Sequence, residues 1–142
     1  YINAISPEIR DDVQNYSAAE IHFRKKEFEK VLELLSHVKY KYTLIKSEVR
    51  SLTLMAYLEL DLTDEAFSLI DSYTHFIGGN KKLTPEQKEA DSNFIFYTKS
   101  ILRQRGKNEA SPDLKKAITG CFNLSRKEWL FEKVNELIIR NT

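Results

Sequence analysis

Each of the three prolines in this chain directly follows a hydroxyl residue: Ser6-Pro7, Thr84-Pro85 and Ser111-Pro112. A Ser or Thr side chain accepts a hydrogen bond from an orphan backbone N–H at a helix start. Proline fits the first helical position, whose N–H has no intrahelical partner. Three helix starts are therefore written into the chain. Thr84 is followed by Gln87 and Ser125 by Glu128, the three-residue spacing of a capping box. Four glycines and three prolines in 142 residues are too few for the turns of an all-β fold. The expected fold class is all-α.

Apolar periodicity fills in the helices between these marks. Ile9, Val13 and Tyr16 predict a helix from Pro7 to about Arg24. Phe28, Val31, Leu32 and Leu35 form one stripe of a second, after the break at Lys25-Lys26. From Val38 to Leu44 the pattern alternates, with Tyr40 and Tyr42 between. No second such run offers a pairing partner, so this is read as an extended connector. Val49, Leu52, Leu54, Met55, Ala56 and Leu58 leave little polar face on a third helix over about 44–60, which places it at the centre of the fold. Thr63 starts a fourth, with Asp64 and Glu65 in its first turn. Gly78-Gly79 is expected to stop it by taking the left-handed position. A fifth helix runs from Thr84 to about Arg105, a sixth from Ser111 to about Phe122, and a seventh opens at Ser125 with Leu130, Val134, Leu137 and Ile138 inward. Short connections predict antiparallel neighbours.

The segment from Ala18 to Val38, set against that from Thr53 to Tyr73, matches in residue class at an offset of 35, though hardly in identity. Val31 meets Ala66, Leu34 meets Leu69 and Leu35 meets Ile70. The period is close to the ~34 residues of a tetratricopeptide helix pair. On Ala19, Phe28, Val31 and Leu35 the first unit resembles the tetratricopeptide-repeat (TPR) family. The second departs from the pattern at Leu54, Asp61 and Thr63, and the third pair, near 84–122, has lost the spacing. A narrower resemblance, through Pro7-Glu8-Ile9-Arg10, Leu69 to Tyr73, Asn93-Phe94-Ile95 and Glu128-Trp129-Leu130, is to the C-terminal part of large TPR-like proteins of Bacteroidetes-type bacteria. The resemblance implies that these seven helices form a short right-handed superhelix; the length of 142 residues suggests one domain over 1–142. Two TPR-like pairs would occupy 7–78 and divergent helices 84–142. The start at Tyr1, without a signal-peptide pattern, is read as a fragment of a larger protein or a processed chain, with a cytoplasmic location expected; the resemblance implies helical repeats preceding it.

No residue pattern points to a reaction. His22, His37 and His75 form no HExxH motif, and the lone Cys121 excludes an intrachain disulfide and a Cys-rich zinc site. Cys121 is read as a buried, inert thiol. Gly78-Gly79-Asn80-Lys81 lacks the spacing of a phosphate loop. The acids, Asp11-Asp12 among them, read as solvated faces or helix starts. The expectation is a non-enzymatic chain with no cofactor and no metal.

Lys plus Arg number 22 against 21 acids, which argues against nucleic-acid binding by bulk charge. An acidic stretch at 59–71 and a basic one of Lys99, Arg103, Arg105 and Lys107 lie within that balance. RNA binding through 97–107 is the weakest of the readings. The leading one is a protein-interaction module. By the family's register, the groove positions are Tyr16, Glu20, Phe23 and Arg24, then Ser51, Met55, Leu58 and Glu59, a mixture suited to an extended peptide or a helix. The alternative is a structural C-terminal cap of a longer solenoid, with the same residues covered by neighbouring helices. No apolar run approaches the ~18 residues of a membrane span.

Overall fold

A computed structural model describes residues 7–39, 43–109 and 111–141. Among them it holds seven α-helices and no strand: α1 (Pro7–Arg24), α2 (Phe28–Leu35), α3 (Thr43–Glu59), α4 (Thr63–Gly79), α5 (Pro85–Gly106), α6 (Pro112–Gly120) and α7 (Lys127–Arg140). The fold is all-α. Ser6, Tyr40 and Tyr42 lie outside the described residues, and with them the first proline cap and the middle of the alternating run. Among the described residues no helix is long and apolar enough to cross a membrane.

The chain divides into two compact units, Tyr1–Leu69 and Ile70–Thr142, and the division falls inside α4. In the first unit α1 packs along α2, and both pack on α3. Ala19 is fully buried, and its small side chain lets the α1 and α2 backbones approach; Val31 and Leu35 of α2 are buried with it. Val49, Leu52, Leu54, Met55, Ala56 and Leu58 of α3 are all buried, as a helix apolar on most sides requires.

In the second unit α5, α6 and α7 pack on one another. Phe94 meets Trp129 at 6.3 Å between ring centroids. Ile101, Ile118, Leu130 and Val134 are fully buried beside them. Lys133 is buried too. Its amine stays charged-paired by reaching Glu136 at 2.9 Å, and it lies 5.9 Å from the Trp129 ring centroid.

Two of the sequence-marked helix starts form as expected. Gln87 N–H donates to Thr84 Oγ1 at 3.2 Å and Thr84 N–H to Gln87 Oε1 at 3.0 Å. Leu114 N–H donates to Ser111 Oγ at 3.3 Å. The box at Ser125 does not form. The residue before α7 is Arg126, left-handed at φ 56°, without a side-chain cap. Ser125 instead donates its hydroxyl to Asp91 Oδ1 at 2.6 Å, which gives this buried carboxyl on α5 a partner.

Gly78 and Gly79 do not stop α4 by a left-handed turn. No described glycine has positive φ; the left-handed residues are Lys26, Asp61, Asn108 and Arg126. The chain leaves α4 through Asn80, whose side chain accepts from Lys82 N–H at 2.9 Å. α6 ends at Gly120, short of Phe122. There Lys127 Nζ donates to the Thr119 and Cys121 carbonyls at 2.9 and 2.8 Å, which satisfies the helix end and suits its dipole. Phe122 is left fully exposed.

The 35-residue offset appears in backbone geometry where residue identity is nearly absent. Lys26 and Asp61 stand 35 apart, with φ 62° and 56°. After α1, Lys26 N–H bonds Phe23 O at 2.9 Å and Glu27 N–H bonds His22 O at 3.0 Å. After α3, Asp61 N–H bonds Leu58 O at 3.3 Å and Leu62 N–H bonds Tyr57 O at 2.9 Å. Both are Schellman closures, residue for residue. The next helix then begins on the same bond each time: Val31 N–H to Glu27 O, and Ala66 N–H to Leu62 O. The closure recurs after α5 at Asn108, where Glu109 N–H bonds Gln104 O at 2.9 Å. That third copy is 47 residues beyond Asp61, off the period.

Candidate partner-binding face

Tyr16, Glu20, Phe23 and Arg24 recur at helical spacing along α1, and the structure keeps all four at least partly open to solvent. Tyr16 Oη lies 3.0 Å from Glu20 Oε1 and 3.1 Å from Glu48 Oε2. A phenol has one proton, so it donates to one carboxylate at a time. The contact ties α1 to α3 and holds two carboxylates side by side. Glu48 was not among the sequence-derived positions; its place one turn before Ser51 on α3 is the only trace of it in the sequence. Phe23 packs edge-on against Phe28 at 5.1 Å and 66°, which fixes the exit of α1 into α2. Arg24 is exposed.

The second set is placed differently. Ser51, Met55 and Leu58 are buried, at 3, 4 and 1% exposure, and only Glu59 stays half-open. Ser51 donates its hydroxyl back to Glu48 O at 3.0 Å. Three of the four α3 positions equivalent to the open α1 face are thus core.

Asp12, read from the sequence as part of a solvated acidic pair, is buried at 1% exposure, while Val13 beside it is 40% exposed. The expected stripe of Ile9, Val13 and Tyr16 is therefore rotated. The reason is a polar contact: Asp12 Oδ1 accepts from Lys39 N–H at 2.8 Å and draws the segment after α2 onto this side of α1.

The remaining chemistry-bearing residues are scattered. His22 Nδ1 sits 3.0 Å from Glu27 Oε1, and His75 Nδ1 2.8 Å from Asp71 O. Among the described residues no three His, Cys, Asp or Glu side chains converge closely enough to hold a metal ion. Cys121 is half-buried rather than buried, with Asn93 Nδ2 at 3.6 Å from its sulfur. Burial, and then the neighbouring Cys121, push the Tyr97 phenol above the ordinary tyrosine range. Lys99, Arg103, Arg105 and Lys107 gather at the C-terminal end of α5, where cations suit the helix dipole; Arg103 and Lys107 are exposed. No family model, no curated protein and no solved structure matches the chain.

Proposed function

We propose that this chain is a TPR-like helical module that binds a protein partner through the open face of α1. The observation that carries the reading is the matched pair of Schellman closures 35 residues apart, each preceding a helix that starts on the same bond. Helix pairs joined at that period stack into solenoids whose first helices line a concave surface. The face offered is Tyr16, Glu20, Phe23 and Arg24, with Glu48 and Glu59 from α3. It combines an aromatic edge, one exposed cation and a group of carboxylates, which suits a peptide with basic and apolar side chains. The test is quantitative capture from extracts of the source cells, wild type against a Phe23→Ala, Arg24→Glu variant of unchanged thermal stability. A protein retained by the wild type and lost by at least tenfold in the variant supports the face. Identical capture profiles refute it.

The burial of Ser51, Met55 and Leu58 favours a second reading, a terminal cap of a helical array with no ligand of its own. A cap predicts that Phe23→Ala, Arg24→Glu lowers solubility or stability of the array while capture stays unchanged.

A further inference from the structure

Two solvent-facing helix surfaces in the second unit carry opposite charges at the same spacing. On α5, Lys99, Arg103 and Lys107 follow one another every four residues; Lys99 is half-buried and the other two are exposed. No acid occurs between Ser92 and Asn108. On α7, Glu128, Glu132 and Glu136 keep the same four-residue step, and all three are exposed. Glu136 is taken by Lys133 at 2.9 Å. The three cations, Glu128 and Glu132 form no ion pair among the described residues. Residues four apart make one ridge of a helix, with about 6 Å between successive members. The two ridges therefore match in pitch and oppose in charge.

The helix dipole accounts for cations at the end of α5 and for Glu128 in the first turn of α7. It does not account for the apolar side chains beside them. Phe96 is 63% exposed, Ile139 73% and Phe131 37%. These are three of the six large apolar side chains left exposed among the described residues, so the exposure is concentrated on these two surfaces. Phe96 begins the α5 ridge next to the basic one. Phe131 and Ile139 belong to the α7 ridge next to the acidic one. Lys115 lies over the Phe131 ring, 5.3 Å from its centroid, and pairs with neither Glu128 nor Glu132.

The order of the ridges decides how such surfaces meet. Round the helix in the chain sense, the Phe96 ridge comes after the basic ridge on α5. On α7 the Phe131 ridge comes before the acidic ridge. Two parallel helices laid face to face reverse left and right, so opposite orders superpose. Acid then lies on base and apolar on apolar in one alignment. An antiparallel alignment would set charge on apolar. A polyanion such as RNA would use the basic surface alone, and a net charge of +1 gives it no long-range attraction to the chain. A second copy of the chain uses both surfaces.

We propose that a second copy of this chain lays its α7 on the exposed surface of α5, the two helices parallel. The Glu128–Glu132 ridge runs along the Lys99–Arg103–Lys107 ridge, and Phe96, Phe131 and Ile139 are covered between them. The contact is small and rimmed by solvated charge, so the association is weak and salt-dependent. It uses none of the α1 residues of the proposed partner face, so either can fail alone.

The experiment is sedimentation equilibrium of the chain over a range of concentrations, at low and at high salt. At low salt the apparent mass is expected to rise with concentration above the 16.6 kDa of one chain, and at high salt to rise less. The double variants Lys99→Glu, Arg103→Glu and Glu128→Lys, Glu132→Lys should each lower the association constant at least tenfold. A chain carrying all four reversals keeps the wild-type net charge and again opposes its ridges, so it regains association. Where a reversed variant does not fold, amide NMR of the wild type decides: shifts on dilution are expected along α5 and α7. A chain that stays at 16.6 kDa at low salt, double variants that associate like the wild type, a fourfold variant that stays monomeric, or dilution shifts confined to other helices overturn the proposal. A monomer whose α5 amides move with oligoadenylate or with an acidic peptide assigns the surface to that partner and overturns it equally.

Discussion

Replacing Lys26 by glycine is expected to stabilise the chain, although glycine weakens most positions. Lys26 sits at φ 62°. That left-handed conformation is unfavourable for an L-residue by roughly 1–2 kcal/mol, and glycine adopts it freely. Glycine also loosens the unfolded chain, which takes back about 0.4–1 kcal/mol. The Lys26 side chain is exposed and forms no ion pair among the described residues, so nothing else is lost. The net expectation is a gain of about 0.5–1 kcal/mol. Asp61 holds the same place after α3, but Asp tolerates the left-handed region better, so Asp61→Gly gains less. Lys26→Val moves the other way, since a branched Cβ crowds this conformation further. Gly78 supplies the converse: it is helical, its φ is not positive, and an added Cβ meets no atom within 4 Å. Gly78→Ala should therefore also stabilise, by about 0.5–1 kcal/mol. The assay is urea unfolding followed by circular dichroism at 222 nm, with Trp129 fluorescence as a separate probe of the second unit. The midpoint should move at constant m. A Lys26→Gly variant less stable than wild type would show that this turn is not left-handed, and the matched closure would fall with it.

Two further outcomes are expected. Ser125→Ala removes the 2.6 Å hydrogen bond to buried Asp91 and should destabilise the chain by about 1.5–3 kcal/mol in the same urea assay; a loss under 0.5 kcal/mol contradicts it. Tyr97 binds its proton more tightly folded than unfolded, so stability is full below the ordinary tyrosine value near 10 and declines as pH rises through it. Tyr97→Phe should flatten that alkaline decline in thermal melts between about pH 9 and 11, and an unaltered slope rules the assignment out.

The helices were legible because their signals are local. Thr84-Pro85 with Gln87, and Ser111-Pro112, act within one turn, and both caps form. The apolar positions of α3 were legible for the same reason, since a helix without a wide polar face has to be covered. What misled was punctuation by residue type. Glycine is read as a left-handed stop, yet Gly78 and Gly79 are helical, while Lys and Asp take the left-handed turns. The closure's hydrogen bonds run between backbone groups, so Lys26 and Asp61 need share no chemistry to serve alike. That is why two closures 35 residues apart match in geometry with hardly any shared residues around them. Asp12 was illegible for the opposite reason. Its partner lies 27 residues away, and nothing local distinguishes it from Asp11.

The same long-range logic separates the two polar anchor points of this chain. The segment between α6 and α7 is strapped to α5 by side chains and backbone together. Asn93 Nδ2 donates to Asn123 O at 2.9 Å, Asn123 Nδ2 to Glu86 O at 2.9 Å, and Ser125 N–H to Ala90 O at 3.2 Å, beside the Ser125–Asp91 bond. An irregular segment leaves backbone groups unpaired, and these bonds satisfy them. The segment after α2 is held to α1 by the same device, Asp12 to Lys39 N–H, but there the carboxylate is only half used. A strap needs one acceptor oxygen. A neutral Asn or Ser would serve, as Asn93 and Asn123 do. A buried carboxyl with a second oxygen that accepts no hydrogen bond is more than the strap requires, and it makes this anchor the less completely satisfied of the two.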